Sequence, residues 1–321
     1  MRRRSVFYAS GVVAAVAGLI VTGVATSQAQ TTAAPSVVAP KAVFLGNLPY
    51  EFPATGGRDP VAAMKATGVH GITMAFILNK GNCQPAWDGS ASITDGAHMN
   101  RVNAIRNAGG DVVISFGGAD GGPGGKLGNK CANATALAAA YQKVITAYKL
   151  RAFDIDLEAG EVPQSGKVLS ALKIVKQKNP GVQIIMTLGT GTGGLEGGEA
   201  KVPGQAAKMG SPVDVWTIMP FDFGSVGGSA DMGKISVQAS EGLHKQLKAA
   251  FPGLSDAKIY TMQGISSMNG KTDTGENVTV GAFNTMLKYC QQHHLARFTY
   301  WELNRDTGGL SFTKVIGKFQ G

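Results

Sequence analysis

Eight short, apolar, β-branched runs recur along the chain with helix-like stretches between them, and this alternation constrains the fold more than any other feature. They are AVFLG (42–46), GITMAFI (71–77), DVVISF (111–116), AFDIDLE (152–158), VQIIMTL (182–188), VDVWTIM (213–219), KIYTMQG (258–264) and RFTYWEL (297–303). Strands with so few polar positions have no solvated face, so they belong in a parallel sheet covered on both sides. ALAAAYQKVITAYK (136–149) and SVQASEGLHKQLKAAF (236–251) have the amphipathic pattern of covering helices. Eight such units predict an α/β protein built as a single (β/α)8 TIM barrel, for which about 280 residues is an ordinary size. A doubly wound open sheet is the alternative.

The start of the chain needs a separate reading. MRRRSVFYASGVVAAVAGLIVTGVATSQAQ has a basic head, an apolar middle and a small-residue end, which is the layout of a secretory signal with cleavage after Ala29. Arg3-Arg4 adds a weak twin-arginine character. An uncleaved anchor is the alternative, although the apolar run is shorter than the ~20 residues of a span. Residues 30–40 read as an Ala/Pro/Thr linker and residues 41–321 as the folded (β/α)8 domain. Removing the leader takes away Arg2, Arg3 and Arg4 and no acid, so the formal charge falls from +9 to +6. The rest contains no basic run, which leaves nucleic-acid binding unsupported. A secreted monomer, free of the membrane once cleaved, is expected. In an exported chain Cys83 and Cys131, both in loop-like sequence, are the candidate disulfide; Cys290, within a helical pattern, reads as a buried thiol. No metal-ligand spacing occurs, and no cofactor is expected.

RAFDIDLEAG (151–160) concentrates charge where the pattern otherwise indicates burial. Strand alternation points Asp154, Asp156 and Glu158 to one side and Phe153, Ile155 and Leu157 to the other. Successive carboxylates then lie ~6–7 Å apart. Acids that close in a buried strand cannot all ionise, so at least one keeps a proton near neutral pH. Glu158, last on the strand, falls at the barrel end where active sites of this fold gather. A solvated edge strand and a hard-cation site are the alternatives. The bulky apolar residues between the acids count against the first, and the lack of Gly and Asn turns against the second.

These residues resemble glycoside hydrolase family 18, the chitinases. FDIDLE matches the family's Asp-x-Asp-x-Glu core, and SFGG (115–118) its Ser-x-Gly-Gly motif. MPFDF (219–223) is similar to its Met-x-Tyr-Asp segment, and YWELNRD (300–306) to its last-strand Trp segment. AFILNKGNCQPAW (75–87) further resembles the compact, secreted bacterial branch. The resemblance implies substrate-assisted catalysis without a protein nucleophile. Glu158 is then the proton donor, Asp156 orients the acetamido nitrogen, and Asp154 shares and positions a proton. Ser115, Gly117 and Gly118 support them from the third strand. Asp222, Trp301 and Met219 bind the sugar, with Trp301 as an apolar floor. The implied partners are chitin and N-acetylglucosamine oligosaccharides.

The sequence departs from the family at Phe221 and Phe223, where a tyrosine hydroxyl is expected to steady the acetamido oxygen. Losing one such bond would slow turnover by about 10²–10³-fold. Gln263 is a candidate replacement donor, or a polar residue pairing with nearby backbone. Two further functions stay open: an endo-β-N-acetylglucosaminidase acting on N-glycan cores, and a catalytically weak glycan-binding protein.

Overall fold

The structure, a computed structural model, describes residues 36–54 and 56–321. The expected leader, 1–29, and residues 30–35 of the expected linker lie outside the described residues. Eight parallel strands form the barrel: β1 (Tyr50–Glu51), β2 (Gly71–Asn79), β3 (Asp111–Gly117), β4 (Ala152–Leu157), β5 (Gln183–Gly189), β6 (Val215–Met219), β7 (Gln263–Met268) and β8 (Arg297–Trp301). Each strand pairs in parallel with the next from β1 through β8. Across the seam, the Phe298 N–H donates to the Gly46 carbonyl at 2.8 Å. The outer helices are α1 (Pro60–Thr67), α2 (Gly96–Asn107), α3 (Ala134–Tyr148), α4 (Ser165–Lys178), α5 (Val202–Lys208), α6 (Met232–Ala250), α7 (Val280–Gln292) and α8 (Ser311–Ile316). Among the described residues, no helix is long and apolar enough to cross a membrane.

Two strand expectations need correction. AVFLG (42–46) is not a strand. Leu45 and Leu48 instead pack with Val113, Ala152, Ile185 and Val215, closing the barrel at the amino end of its strands. The first strand is the short β1, whose partners are Thr73 and Met74 of β2. KIYTMQG (258–264) is also misplaced. The Ser255 side chain accepts from the Lys258 N–H and caps a helical turn over Asp256–Tyr260, so β7 begins only at Gln263. An N-cap serine satisfies otherwise orphaned amides, and here that outweighs the strand character of Ile259 and Tyr260. The folded part also starts ahead of Lys41. Val37 is buried, and Val38 exchanges backbone bonds with the side chains of Asn103 and Arg106 on α2.

The loop after β2 carries a small antiparallel extension (Pro85–Trp87 and Ala91–Ser92) that the strand pattern did not announce. Cys83 beside it is disulfide-bonded to Cys131, while Cys290 is a buried free thiol on α7.

Candidate active site

The alternation of β4 sorts its side chains as period 2 requires. Phe153, Ile155 and Leu157 face outward into the main apolar core with Tyr141, Val144, Leu169 and Leu172 of α3 and α4. Asp154 and Asp156 face the barrel axis and are buried, and Glu158 stands half-buried just past the strand end. Three hydroxyls converge on Asp154. Tyr50 Oη and Ser115 Oγ donate to Oδ2 at 2.8 and 2.6 Å, and Thr187 Oγ1 donates to Oδ1 at 2.7 Å. Asp156 lacks such support: among the described residues its buried Oδ1 has no hydrogen-bond partner. The Lys126 Nζ donates to the Glu158 backbone carbonyl at 2.9 Å.

Burial is the largest influence on all three carboxyls and raises each of them. Asp156 is held well above the usual carboxylate range, with the charges of Glu158 and Asp154 adding to burial and Lys126 opposing. Glu158 is raised from 4.5 to about 7 by burial and by Asp120, Asp222 and Glu199, again against Lys126. Asp154 is raised by burial but held down by Arg297 and by its three hydroxyl donors. The strand therefore keeps a carboxylic acid, Glu158, protonated up to neutral pH at the mouth of a cavity, which is what a general acid needs.

That cavity, of about 320 Å³, opens at the carboxyl ends of the strands. Asp156, Glu158, Met219, Phe221, Asp222 and Trp301 all line it. Trp301 stacks on Phe76 with centroids 5.5 Å apart and planes at 13°, and Phe52 lies 5.9 Å from it, so an aromatic wall faces the acids. Asp222, at φ +54°, accepts from the Thr274 N–H at 2.9 Å, which ties the β6 loop to the loop after β7. Ser115, Gly117 and Gly118 sit behind β4. At Gly117 φ is +98°, and a Cβ there would lie 2.3 Å from the Asp156 carbonyl oxygen, so only glycine fits beside this strand. The Gly118 N–H donates to that same carbonyl at 3.0 Å.

Two sequence-derived site residues lie elsewhere. Gln263 is the first residue of β7, at the opposite end of the strand from the cavity. It is fully buried, and its Nε2 pairs with His244 Nδ1 at 3.0 Å. The helical turn at Asp256–Tyr260 moved the strand start to Gln263, so the β7 residues that reach the cavity are Ser266 and Met268. Phe223 turns away from the cavity, packs against the cluster around Phe283, and lines a neighbouring groove of about 450 Å³ with Glu196 and Glu199. Sequence reasoning missed Tyr50, Thr187 and Lys126, because each acts across the barrel or from a loop and carries no local signature. Ser266 and Met268 were legible in principle as alternate residues of a correctly placed β7. Among the described residues no group of three or more His, Cys, Asp or Glu is arranged to hold a metal ion.

No protein-family model matches the chain. It is 28% identical over 302 residues to a probable bifunctional chitinase/lysozyme of Escherichia coli (strain K12), covering 88% of this chain and 33% of that protein. It is 27% identical over 300 residues to endochitinase 11 of Metarhizium anisopliae, covering 88% and 56%. The chain thus spans about a third and about half of the length of these curated relatives. Its structure is similar to the catalytic domain of a hyperthermophilic chitinase from Pyrococcus furiosus, with a TM-score of 0.76, 28% identity, and coverage of 89% of this chain and 97% of that one. The resemblance to family 18 chitinases read from four short motifs extends over most of the sequence and over the TIM-barrel fold.

Proposed function

We propose that this chain is a secreted, retaining glycoside hydrolase that cleaves β-1,4-linked N-acetylglucosamine polymers, using the substrate's own acetamido group as nucleophile. The observation that carries this reading is the convergence of Asp156 and Glu158 on one cavity with Trp301 opposite, Glu158 holding its proton to about pH 7. The likeness to chitinases in sequence and fold supports the substrate class. Residues 1–29 act as the export leader and the barrel is the catalytic domain.

Glu158 gives its proton to the glycosidic oxygen as the bond to the anomeric carbon breaks. The acetamido oxygen forms a bond to that carbon, giving an oxazolinium ion. Asp156 accepts from the acetamido N–H with the carboxyl oxygen that has no protein partner, which orients the nucleophile. Water then opens the ring from the vacated side, returning its proton to Glu158 with net retention. Trp301 supports the apolar face of the sugar and Asp222 binds its hydroxyls. Phe221 brings no hydroxyl to the acetamide; the candidate replacement is the hydroxyl of Ser266, buried on β7 and lining the same cavity.

The test compares the mature protein with Glu158→Gln on a fluorogenic chitotriose and on insoluble chitin. Release by the wild type at least about 100-fold above the variant is expected. Equal release, with chitin still retained, would instead make the protein a glycan binder, the reading that Phe221 favours. Release of intact glycan from a high-mannose glycoprotein, with chitin untouched, would move the activity to N-glycan cores.

A further inference from the structure

Arg297, the first residue of β8, is 1% exposed, yet among the described residues no Asp or Glu forms an ion pair with it. Its Nη2 donates to Thr73 Oγ1 at 2.8 Å and its Nη1 to the Leu45 carbonyl at 3.5 Å, while Nε is buried without a partner. The guanidinium carbon stands 5.5 Å from the centroid of the Tyr50 ring. The hydroxyl of that same ring donates to Asp154. A buried cation is expensive unless an opposite charge lies within reach, and hydroxyls, carbonyls and an aromatic face offset only part of that penalty.

Arg297 and Asp154 share one neighbour. Tyr50 from β1, Thr73 from β2 and the Leu45 carbonyl face Arg297. Tyr50, Ser115 from β3 and Thr187 from β5 face Asp154, with Asp156 two residues along β4. The hydroxyls are neutral, so Asp154 is the carboxylate joined to Arg297 through a single shared residue, Tyr50. We propose that Arg297 is a positioning residue that keeps Asp154 ionised, so that the proton retained by the acidic strand rests on Asp156 and Glu158, beside the sugar. Consistent with this, Arg297 is the largest single influence opposing the rise that burial imposes on Asp154, and the Asp154 charge in turn helps to raise Asp156. Asp154 and Arg297 are both buried, and charges in such a low-dielectric interior act on one another without direct contact.

This inference rests on the hydrolase reading, and one experiment separates the two. The dependence of kcat/KM on pH is measured with a soluble chitotriose substrate for the wild type, Arg297→Lys, Arg297→Gln, Asp154→Asn and the Arg297→Gln/Asp154→Asn double variant. Arg297→Gln removes the charge together with the Nη bonds to Thr73 and the Leu45 carbonyl, whereas Arg297→Lys keeps the charge. Its acid limb is expected to move up by about one pH unit, a roughly tenfold loss on that side. Arg297→Lys should keep the wild-type limb, and adding Arg297→Gln to Asp154→Asn should move nothing further. A uniform loss of kcat with unmoved limbs, or a shift that persists without the Asp154 carboxylate, would overturn the proposal. If Arg297→Gln does not fold, the double variant is expected to recover the fold, and failure to do so would equally overturn it. A wild type without activity would remove the hydrolase reading; carboxyl-carbon NMR titration of Asp154 in the same variants would still show whether Arg297 holds it ionised.

Discussion

Glu158→Gln should make this protein more stable while making it inactive, and the gain should depend on pH. The folded carboxyl is raised from 4.5 to about 7. An acid whose folded pKa lies above its unfolded one is neutral in both states at low pH and adds nothing to stability there. As pH rises from 4.5 toward 7 the unfolded chain ionises first, and the folded state loses stability across that window. The 2.5-unit difference between those two values corresponds to about 3 kcal/mol once both states are ionised. Glutamine keeps the shape and never ionises, so it avoids the loss. For a domain of this size, about 3 kcal/mol is a rise in Tm of about 5 °C. The assay is thermal unfolding of wild type and variant at pH 4 and pH 8, alongside turnover of chitotriose. Near-equal Tm at pH 4, a higher variant Tm at pH 8 and a collapse of turnover are expected. A variant no more stable than wild type at pH 8, or a gain of the same size at both pH values, would refute the reasoning that burial and neighbouring acids strain this carboxylate.

Three other outcomes are expected. The basic limb of kcat/KM should lie near pH 7, moving down in Asp120→Asn and up in Lys126→Met, since the first charge raises Glu158 and the second lowers it; pH profiles of the two variants check the signs. Gly117→Ala should lower stability by about 1–3 kcal/mol or more, because φ is +98° and the new Cβ meets the Asp156 carbonyl; denaturant unfolding reads the loss. Reducing the Cys83–Cys131 bond, which closes a 48-residue separation, should remove about 4 kcal/mol of stability on the chain-entropy model; calorimetry with and without reductant measures it.

The acidic strand was legible because its information is local. Period 2 sends Asp154, Asp156 and Glu158 to one side wherever the strand sits, and the apolar residues between them require that both sides be covered. The same holds for the barrel class, set by the repetition of apolar runs and helices, and for the glycines after β3. The errors arose where competing local signals decided a boundary. Ser255 capped a turn that had been read as strand and carried Gln263 to the wrong end of β7. Leu45 and Leu48 were apolar because they plug the barrel, not because they belong to its wall.

What only the tertiary structure decided is how the protons are distributed. Closing the barrel brings Tyr50, Ser115 and Thr187, from three strands, onto Asp154, and leaves one oxygen of Asp156 without a partner. The same closure puts the Arg297 charge against the Tyr50 ring from the far side of the seam. Three carboxyl groups spaced two residues apart thereby acquire different environments. Side-chain alternation is a property of neighbours along the chain, so the sequence alone determined which way the acids point. Desolvation and charge depend on residues up to 143 positions apart, as Arg297 and Asp154 are, and only folding brings them within range of one another.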